Sequence, residues 1–372
     1  MASVREIARL TNVSPSTVSK VINGRPGVNA NTAKTVRRAL ESTNYQPAFK
    51  AIDWNRFLVV TPNYPAIFTK NTYVSTILAG IAEQASEMGT AISVKKLPRN
   101  INTVTDMKHM LLQDGSAGII LLALRDGHQF ADLLGVENLP HVIVGETVHQ
   151  HKVNQIVLDD AQSATRAMTF LIEQGHQRIG VILGHHSEIG HLQRLNACKQ
   201  TMQKMLGDKG KLHDVACLSP DMTHGQQVIN ELFDCPKPPT AIFCFDHATA
   251  VNILNEANHR GIKIPQQLSL ISYVNDGTVI MLDKQLTSLW VPTHEMGRQA
   301  VCMLQKQLDD NAAKQASARN SGASGEGAAK NPSRHQTTLM LPSRWTLGAT
   351  TAPPAPAPSI ATPSIMQETT TP

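Results

Sequence analysis

The 372-residue chain is 41% hydrophobic and 17% charged, ordinary values for a globular protein, and is long enough for two or three folding units. No apolar run approaches the roughly 18 residues needed to span a membrane, and the start MASVREIARL lacks the apolar core of a signal peptide, so a cytoplasmic protein with no membrane partner is expected. Cys198, Cys217, Cys235, Cys244 and Cys302 are widely spaced with no C-x-x-C pair, which argues against a disulfide framework or a cysteine zinc site.

The net charge of +5 is localised. Residues 1–56 carry nine basic side chains against three acidic ones, and the remainder is close to neutral. A small basic module on a neutral body is the electrostatic footprint of nucleic-acid binding.

Three short helices are predicted in residues 1–47. Ser3-Val4-Arg5-Glu6 has the form of a capping box, opening a helix with Val4, Ile7 and Ala8 on its apolar face. Ser14 caps a second helix with Pro15 at its first position, which buries Val18, Val21 and Ile22 and ends at Asn23-Gly24. Asn29 caps a third, with Ala33, Val36 and Leu40 inward. Helices this short must share one core, and a tight turn between the first two gives a helix-turn-helix. Its outer side carries Ser16, Thr17, Ser19, Lys20 and Asn23, groups suited to phosphates and base edges.

The run VREIARLTNVSPSTVSKVINGRPGVNANTAKTVRRALESTNYQP resembles the headpiece of the lactose-repressor/galactose-repressor (LacI/GalR) family, including Val13-Ser14, Thr17-Val18-Ser19, Asn23-Gly24, Thr32 and Tyr45-x-Pro47. The resemblance implies that Pro15, Ser16 and Lys20 discriminate bases, while Thr17, Ser19, Asn23 and Thr32 hold phosphates. In that family a hinge helix follows, with a leucine wedged into the minor groove. Residues 48–56 read AFKAIDWNR and depart from the pattern, placing Trp54 at the wedge position. Trp54 can wedge between base steps or pack against the core.

From Phe57 onward, strand-like segments (57–61, 91–95, 118–122, 141–145, 179–183, 241–245 and 269–273) alternate with helical ones (73–88, 160–174, 190–206 and 247–260), several ending at Gly89, Gly175 or Gly261. This implies an α/β core at residues 57–348, with parallel sheets covered by helices and a ligand crevice at the carboxyl ends of their strands. The run 158-LDDAQSATRAMTFLIEQGHQRIGVILG-184, with Arg194-Leu195, Asp246, Ile264-Pro265 and Leu286-Thr287 after it, is similar to the same family's two-lobed core, which resembles periplasmic sugar-binding proteins. The resemblance implies a doubly wound, two-lobed fold, a homodimer, double-stranded operator DNA as partner, and repression modulated by a small effector, a sugar or related metabolite, bound between the lobes.

By resemblance Arg194 is the effector-binding arginine, a donor fork suited to vicinal hydroxyls or a carboxylate. Asp246 matches as well, but Phe245 replaces the preceding asparagine. Val274 takes the place of the family's first aspartate, or Asn275 or Asp276 does if one residue is inserted. Tyr73 falls near the usual first-lobe contact and Trp290 follows Leu286-Thr287; for Tyr73, Phe245 and Trp290, core packing and ligand stacking are both open.

No G-x-S-x-G, Walker loop, G-x-G-x-x-G or H-E-x-x-H occurs, so no enzyme activity and no cofactor are expected. His185, His186 and His191, and His149 with His151, invite a metal reading but read better as surface or loop histidines, with a ligand contact open for His185-His186 in the loop after a strand. Asp160 reads as a helix cap. Residues 311–334 read as a flexible insertion, and residues 349–372, rich in Pro, Thr and Ala, as a disordered tail without a heptad repeat. Two other classes compete with the regulator: a ligand-binding protein whose headpiece has lost DNA, suggested by the altered hinge, and an enzyme on the α/β core.

Overall fold

The computed structural model describes residues 3–22, 28–43, 53–61, 72–97, 110–111, 113–123, 139–145, 153–183, 189–216, 230–276, 284–320 and 337–355. It divides into two units, 1–156 with 294–339, and 157–293 with 340–372.

The first unit opens with α1 (Val4–Thr11), α2 (Pro15–Ile22) and α3 (Ala30–Ser42). The expected caps are in place. Ser3 Oγ accepts from the Glu6 amide at 3.2 Å, Ser14 Oγ from Thr17 at 3.1 Å, and Asn29 Oδ1 from Asn31 at 2.9 Å. Ile7, Ala8, Val18 and Val36 form the buried centre, flanked by Val4, Val13, Val21, Ile22, Ala39 and Leu40. Asn12 makes the turn between α1 and α2 in a left-handed conformation (φ 53°), and its amide returns to Ala8 and Arg9.

Beyond the headpiece, β1 (Asp53–Thr61), α4 (Thr72–Glu87), β2 (Ala91–Lys96), β3 (Ser116–Leu122), β4 (His141–Val144) and β5 (Gln155–Leu158) follow in chain order. With β11 (Thr338–Leu341) they make a sheet of order β11-β5-β4-β3-β1-β2. Its pairings from β5 through β2 are parallel, as expected for strands joined by crossovers. Leu58, Val60, Ile119, Leu121 and Ile143 fill one apolar cluster.

The second unit contains α5 (Asp160–Glu173), β6 (Arg178–Leu183), α6 (Ile189–Leu206), β7 (Lys211–Ala216), β8 (Ala241–Cys244), α7 (His247–His259), β9 (Ser269–Asn275), β10 (Thr287–Val291) and β12 (Arg344–Thr346). Its sheet order is β12-β10-β9-β8-β6-β7, with β12 antiparallel on β10. Gly89 and Gly175 follow helices with φ of 65° and 98°, which only glycine adopts without strain. The long helix α8 (Thr293–Asn320) belongs to the first unit and crosses α4 closely. A Cβ at Gly80 would meet the His294 carbonyl, and one at Gly297 the Ile77 carbonyl.

Four features differ from the sequence reading. β1 begins at Asp53, so Trp54 sits on the first core strand rather than in a free hinge; residues 48–52 and the Trp54 side chain lie outside what the structure describes. The expected insertion at 311–334 is helical as far as Asn320, because α8 continues on Ala- and Lys-containing sequence that favours a helix. The strand-like stretch 336–347 splits into two strands, one in each sheet. Residues 349–355, expected to be disordered, are ordered, and Thr350 is fully buried. Asn23, His149, His151, His185 and His186 also lie outside the described residues.

Candidate functional site

The headpiece presents one polar face. On α2, Val18 is buried and Val21 and Ile22 pack on the same core, which turns Pro15, Ser16, Ser19 and Lys20 outward; all four are exposed. Thr17 and, on α3, Thr32 are half-buried. The Ser14 hydroxyl lies 2.7 Å from Ser16 Oγ and 2.8 Å from Thr17 Oγ1 while capping α2. Short hydroxyls and one lysine on a rigid helix can reach both phosphate oxygens and base edges.

The second unit gathers a different group at the carboxyl ends of its strands. Arg194, on α6, is buried. Its Nε donates to Asp160 Oδ1 at 2.6 Å and its Nη1 to the Phe245 carbonyl at 3.2 Å. The guanidinium carbon lies 3.9 Å from the centroid of Tyr273 and 5.7 Å from that of Phe245. Phe243, Phe245 and Tyr273 pack ring against ring with centroids 5.2–6.2 Å apart, and His191 meets Phe245 at 5.8 Å.

Asp160 is not the cap that the sequence suggested. The helix starts at Asp160, so the preceding Asp159 is the cap, its Oδ1 accepting from Gln162 at 3.0 Å. Asp160 is thereby turned inward. Burial pushes its carboxyl above the ordinary range, and the Arg194 charge opposes that shift. Gly190 lets α6 pass this carboxylate, since a Cβ there would stand 2.7 Å from Asp160 Oδ2. Burial also pushes up the Tyr273 phenol and the Cys198 thiol, leaving neither suited to nucleophilic chemistry.

Of the expected ligand residues, the structure brings Arg194 and Phe245 together. Asp246 directly follows Phe245, but it caps α7: its oxygens accept from the Thr249 amide at 2.8 Å and hydroxyl at 2.6 Å. Asn275 lies two positions beyond Tyr273 on β9 and so shares its face. Val274 faces the other way, into an apolar cluster with Ile242, Ala250 and Leu286. Trp290 is paired with Val274 across β9 and β10 and packs on that same cluster, away from Arg194. Tyr73 belongs to the first unit, where its hydroxyl lies over Gly145 at the end of β4. Asp160 and Tyr273 are the members of the cluster that sequence reasoning missed; the doubled aspartate was the available signal.

Among the described residues no group of three or more His, Cys, Asp or Glu is placed to hold a metal ion. No described helix is long and apolar enough to cross a membrane.

Residues 3–48 match the family model for bacterial regulatory proteins of the lacI family, and residues 168–322 match that for a periplasmic binding protein-like domain. The chain thus joins a lacI-family regulatory-protein headpiece to a periplasmic binding protein-like domain. Among its relatives, the HTH-type transcriptional repressor CytR of Escherichia coli (strain K12) is 26% identical over 317 residues, covering 82% of this chain and 90% of that protein. The HTH-type transcriptional repressor PurR of Vibrio atlanticus (strain LGP32) is 23% identical over 319 residues, covering 83% and 93%. The fold is shared with the lac repressor dimer bound to operator and the anti-inducer ONPF, at a TM-score of 0.63 and 19% identity over 94% of this chain and 99% of that one. It is shared equally with the transcriptional regulator CelR-cellobiose complex, at 0.61 and 22% over 94% and 100%. CytR and PurR are both regulators of transcription rather than enzymes.

Proposed function

We propose that this protein is a cytoplasmic, homodimeric LacI-family repressor that binds a near-palindromic operator and whose DNA affinity is set by a small metabolite. The observation that carries the reading is the exposed Pro15-Ser16-Ser19-Lys20 face of α2, held rigid from behind by Val18. On this reading Pro15, Ser16 and Lys20 read bases, with Thr17, Ser19, Asn23 and Thr32 on phosphates.

The effector is proposed to bind at the carboxyl ends of the second-unit strands, on Arg194, Phe245, Asp246 and Asn275. Arginine against aromatic faces suits a polyhydroxylated ring, and a carbohydrate or related metabolite is the proposed class. Similarity to CelR, whose structure contains cellobiose, supports the same class. No catalytic role is proposed.

The test is selection of bound duplexes from a random pool at physiological salt. Enrichment of a near-palindrome of about 14–20 base pairs supports the dimeric regulator. Weak, salt-sensitive binding without enrichment overturns it in favour of a sensing protein. For the effector, a sugar panel should raise the melting temperature of the wild type and leave Arg194→Ala unmoved.

A further inference from the structure

The segment after β12 is stitched into the second unit along its length: the Gly348 amide donates to Thr287 Oγ1 at 3.1 Å, the Ala349 amide to the Gln285 carbonyl at 2.7 Å, and the Thr351 and Thr287 hydroxyls lie 3.0 Å apart. Gly348 enters where any Cβ would strike the Gln285 carbonyl. Thr350 then bridges the amino ends of β9 and β10. Its hydroxyl donates to the Leu270 carbonyl at 2.8 Å and accepts from the Thr287 amide at 2.9 Å, and its carbonyl accepts from the Leu270 amide at 2.8 Å. Two residues on, the Ala352 amide donates to Ser269 Oγ at 3.0 Å, and the Ser269 hydroxyl donates to the Ala352 carbonyl at 2.8 Å.

His176 closes this arrangement. Its Nε2 lies 2.9 Å from the Ala352 carbonyl and 3.1 Å from Ser269 Oγ, and its Nδ1 lies 2.9 Å from Thr240 Oγ1. A carbonyl oxygen only accepts, so Nε2 carries the proton. In the neutral ring Nδ1 then accepts from the Thr240 hydroxyl. The ring is 1% exposed, and every group bonded to it is uncharged. The charged groups on the adjoining elements are turned elsewhere. Glu173 of α5 and Lys211 of β7 are exposed, and Arg178 of β6 donates to the Pro238 carbonyl at 3.0 Å.

We propose that His176 is a pH-operated latch: its neutral ring ties Ala352 to Ser269, and a second proton on the ring releases the segment Thr350–Ala352 from β9 and β10. An imidazolium would keep its hydrogen bonds, because Thr240 can turn its own proton to the Arg178 carbonyl 3.3 Å away. What it lacks is a counter-charge. Burial accordingly holds His176 below the ordinary histidine range, and the Ala352 carbonyl opposes that shift. A depressed value in the latched state means that the released state takes the proton more readily. The latch is strongest above the free histidine value, about 6.5. Below it, the opening constant rises about tenfold per pH unit until the latched ring itself titrates.

The experiment is amide hydrogen exchange on the full chain at about pH 7.5 and about pH 5, corrected for intrinsic rates. The Leu270, Thr287 and Ala352 amides, all bonded through the latch, should lose protection together at the lower pH while the β6–β8 amides keep theirs. His176→Gln supplies a donor and an acceptor without titrating and should hold the segment equally at both values. Unchanged protection of the three amides in the wild type overturns the latch, as does an equal pH response in His176→Gln. If that variant fails to fold, the wild-type contrast between the three amides and the β6–β8 amides still decides.

Discussion

Arg194 Nε donates to Asp160 Oδ1 at 2.6 Å with both side chains about nine-tenths buried, so neither charge has water to fall back on. Removing Asp160 strands the guanidinium against Tyr273 and Phe245. Asp160→Ala should cost about 3–5 kcal/mol in the second unit, read by urea unfolding through Trp290 and Trp345 fluorescence. Asp160→Asn keeps an acceptor for Nε and should cost less. A loss in Asp160→Ala below about 0.5 kcal/mol would show that the pair does not hold this region together.

The headpiece separates stability from recognition. Val18 is fully buried among Ile7, Ala8 and Val36, so Val18→Ala should lose about 1–3 kcal/mol and unfold a module this small. Lys20→Ala should leave headpiece melting unchanged and weaken operator binding by about 1–3 kcal/mol, with relaxed preference at one base pair. Thr17→Val should instead weaken all duplexes alike. Equal losses on operator and random DNA for Lys20→Ala would move that residue from reading bases to holding phosphate.

The crossing of α4 and α8 depends on two glycines meeting opposing backbone. Gly80→Ala or Gly297→Ala must push the helices apart, since the obstacles are the His294 and Ile77 carbonyls rather than yielding side chains. Each should destabilise the first unit by about 1–3 kcal/mol or more, measured by thermal unfolding. The Arg298 pairs with Glu83 and Glu87, at 2.8 Å each, lie at the surface and should contribute far less.

Asp114 gives the acid limb of the first unit. Burial raises its carboxyl, but hydrogen bonds from Lys95 and Ser116 and the Lys95 charge outweigh burial, so it titrates below the ordinary aspartate value. A depressed folded value means stability present above the unfolded value and lost as pH falls through the folded one. Lys95→Met should move the acid-unfolding midpoint to higher pH, followed by circular dichroism. An unmoved midpoint would mean that the hydrogen bonds from Ser116 and Ser93 hold the carboxylate without Lys95.

Local chemistry decided much of this fold. The caps Ser3, Ser14 and Asn29, the proline at the start of α2 and the inward rows of α1–α3 act within a few residues of themselves, so chain order alone specifies the headpiece. The same holds for the seven apolar strand segments and for helix ends at Gly89 and Gly175, where sequence and backbone state coincide. Other features depend on partners far along the chain. β5, β7 and β10 lie outside those segments, and become strands because neighbouring strands complete their hydrogen bonds. The Thr350 segment is ordered by Leu270 and Thr287, about 80 and 60 residues away, so its composition could only read as disordered. The sequence placed an aspartate pair before α5 and an arginine on α6. Only the tertiary structure decided that Asp159 caps the helix while Asp160 turns inward to Arg194, because that choice rests on where α6 passes, at Gly190, and not on anything local to the pair.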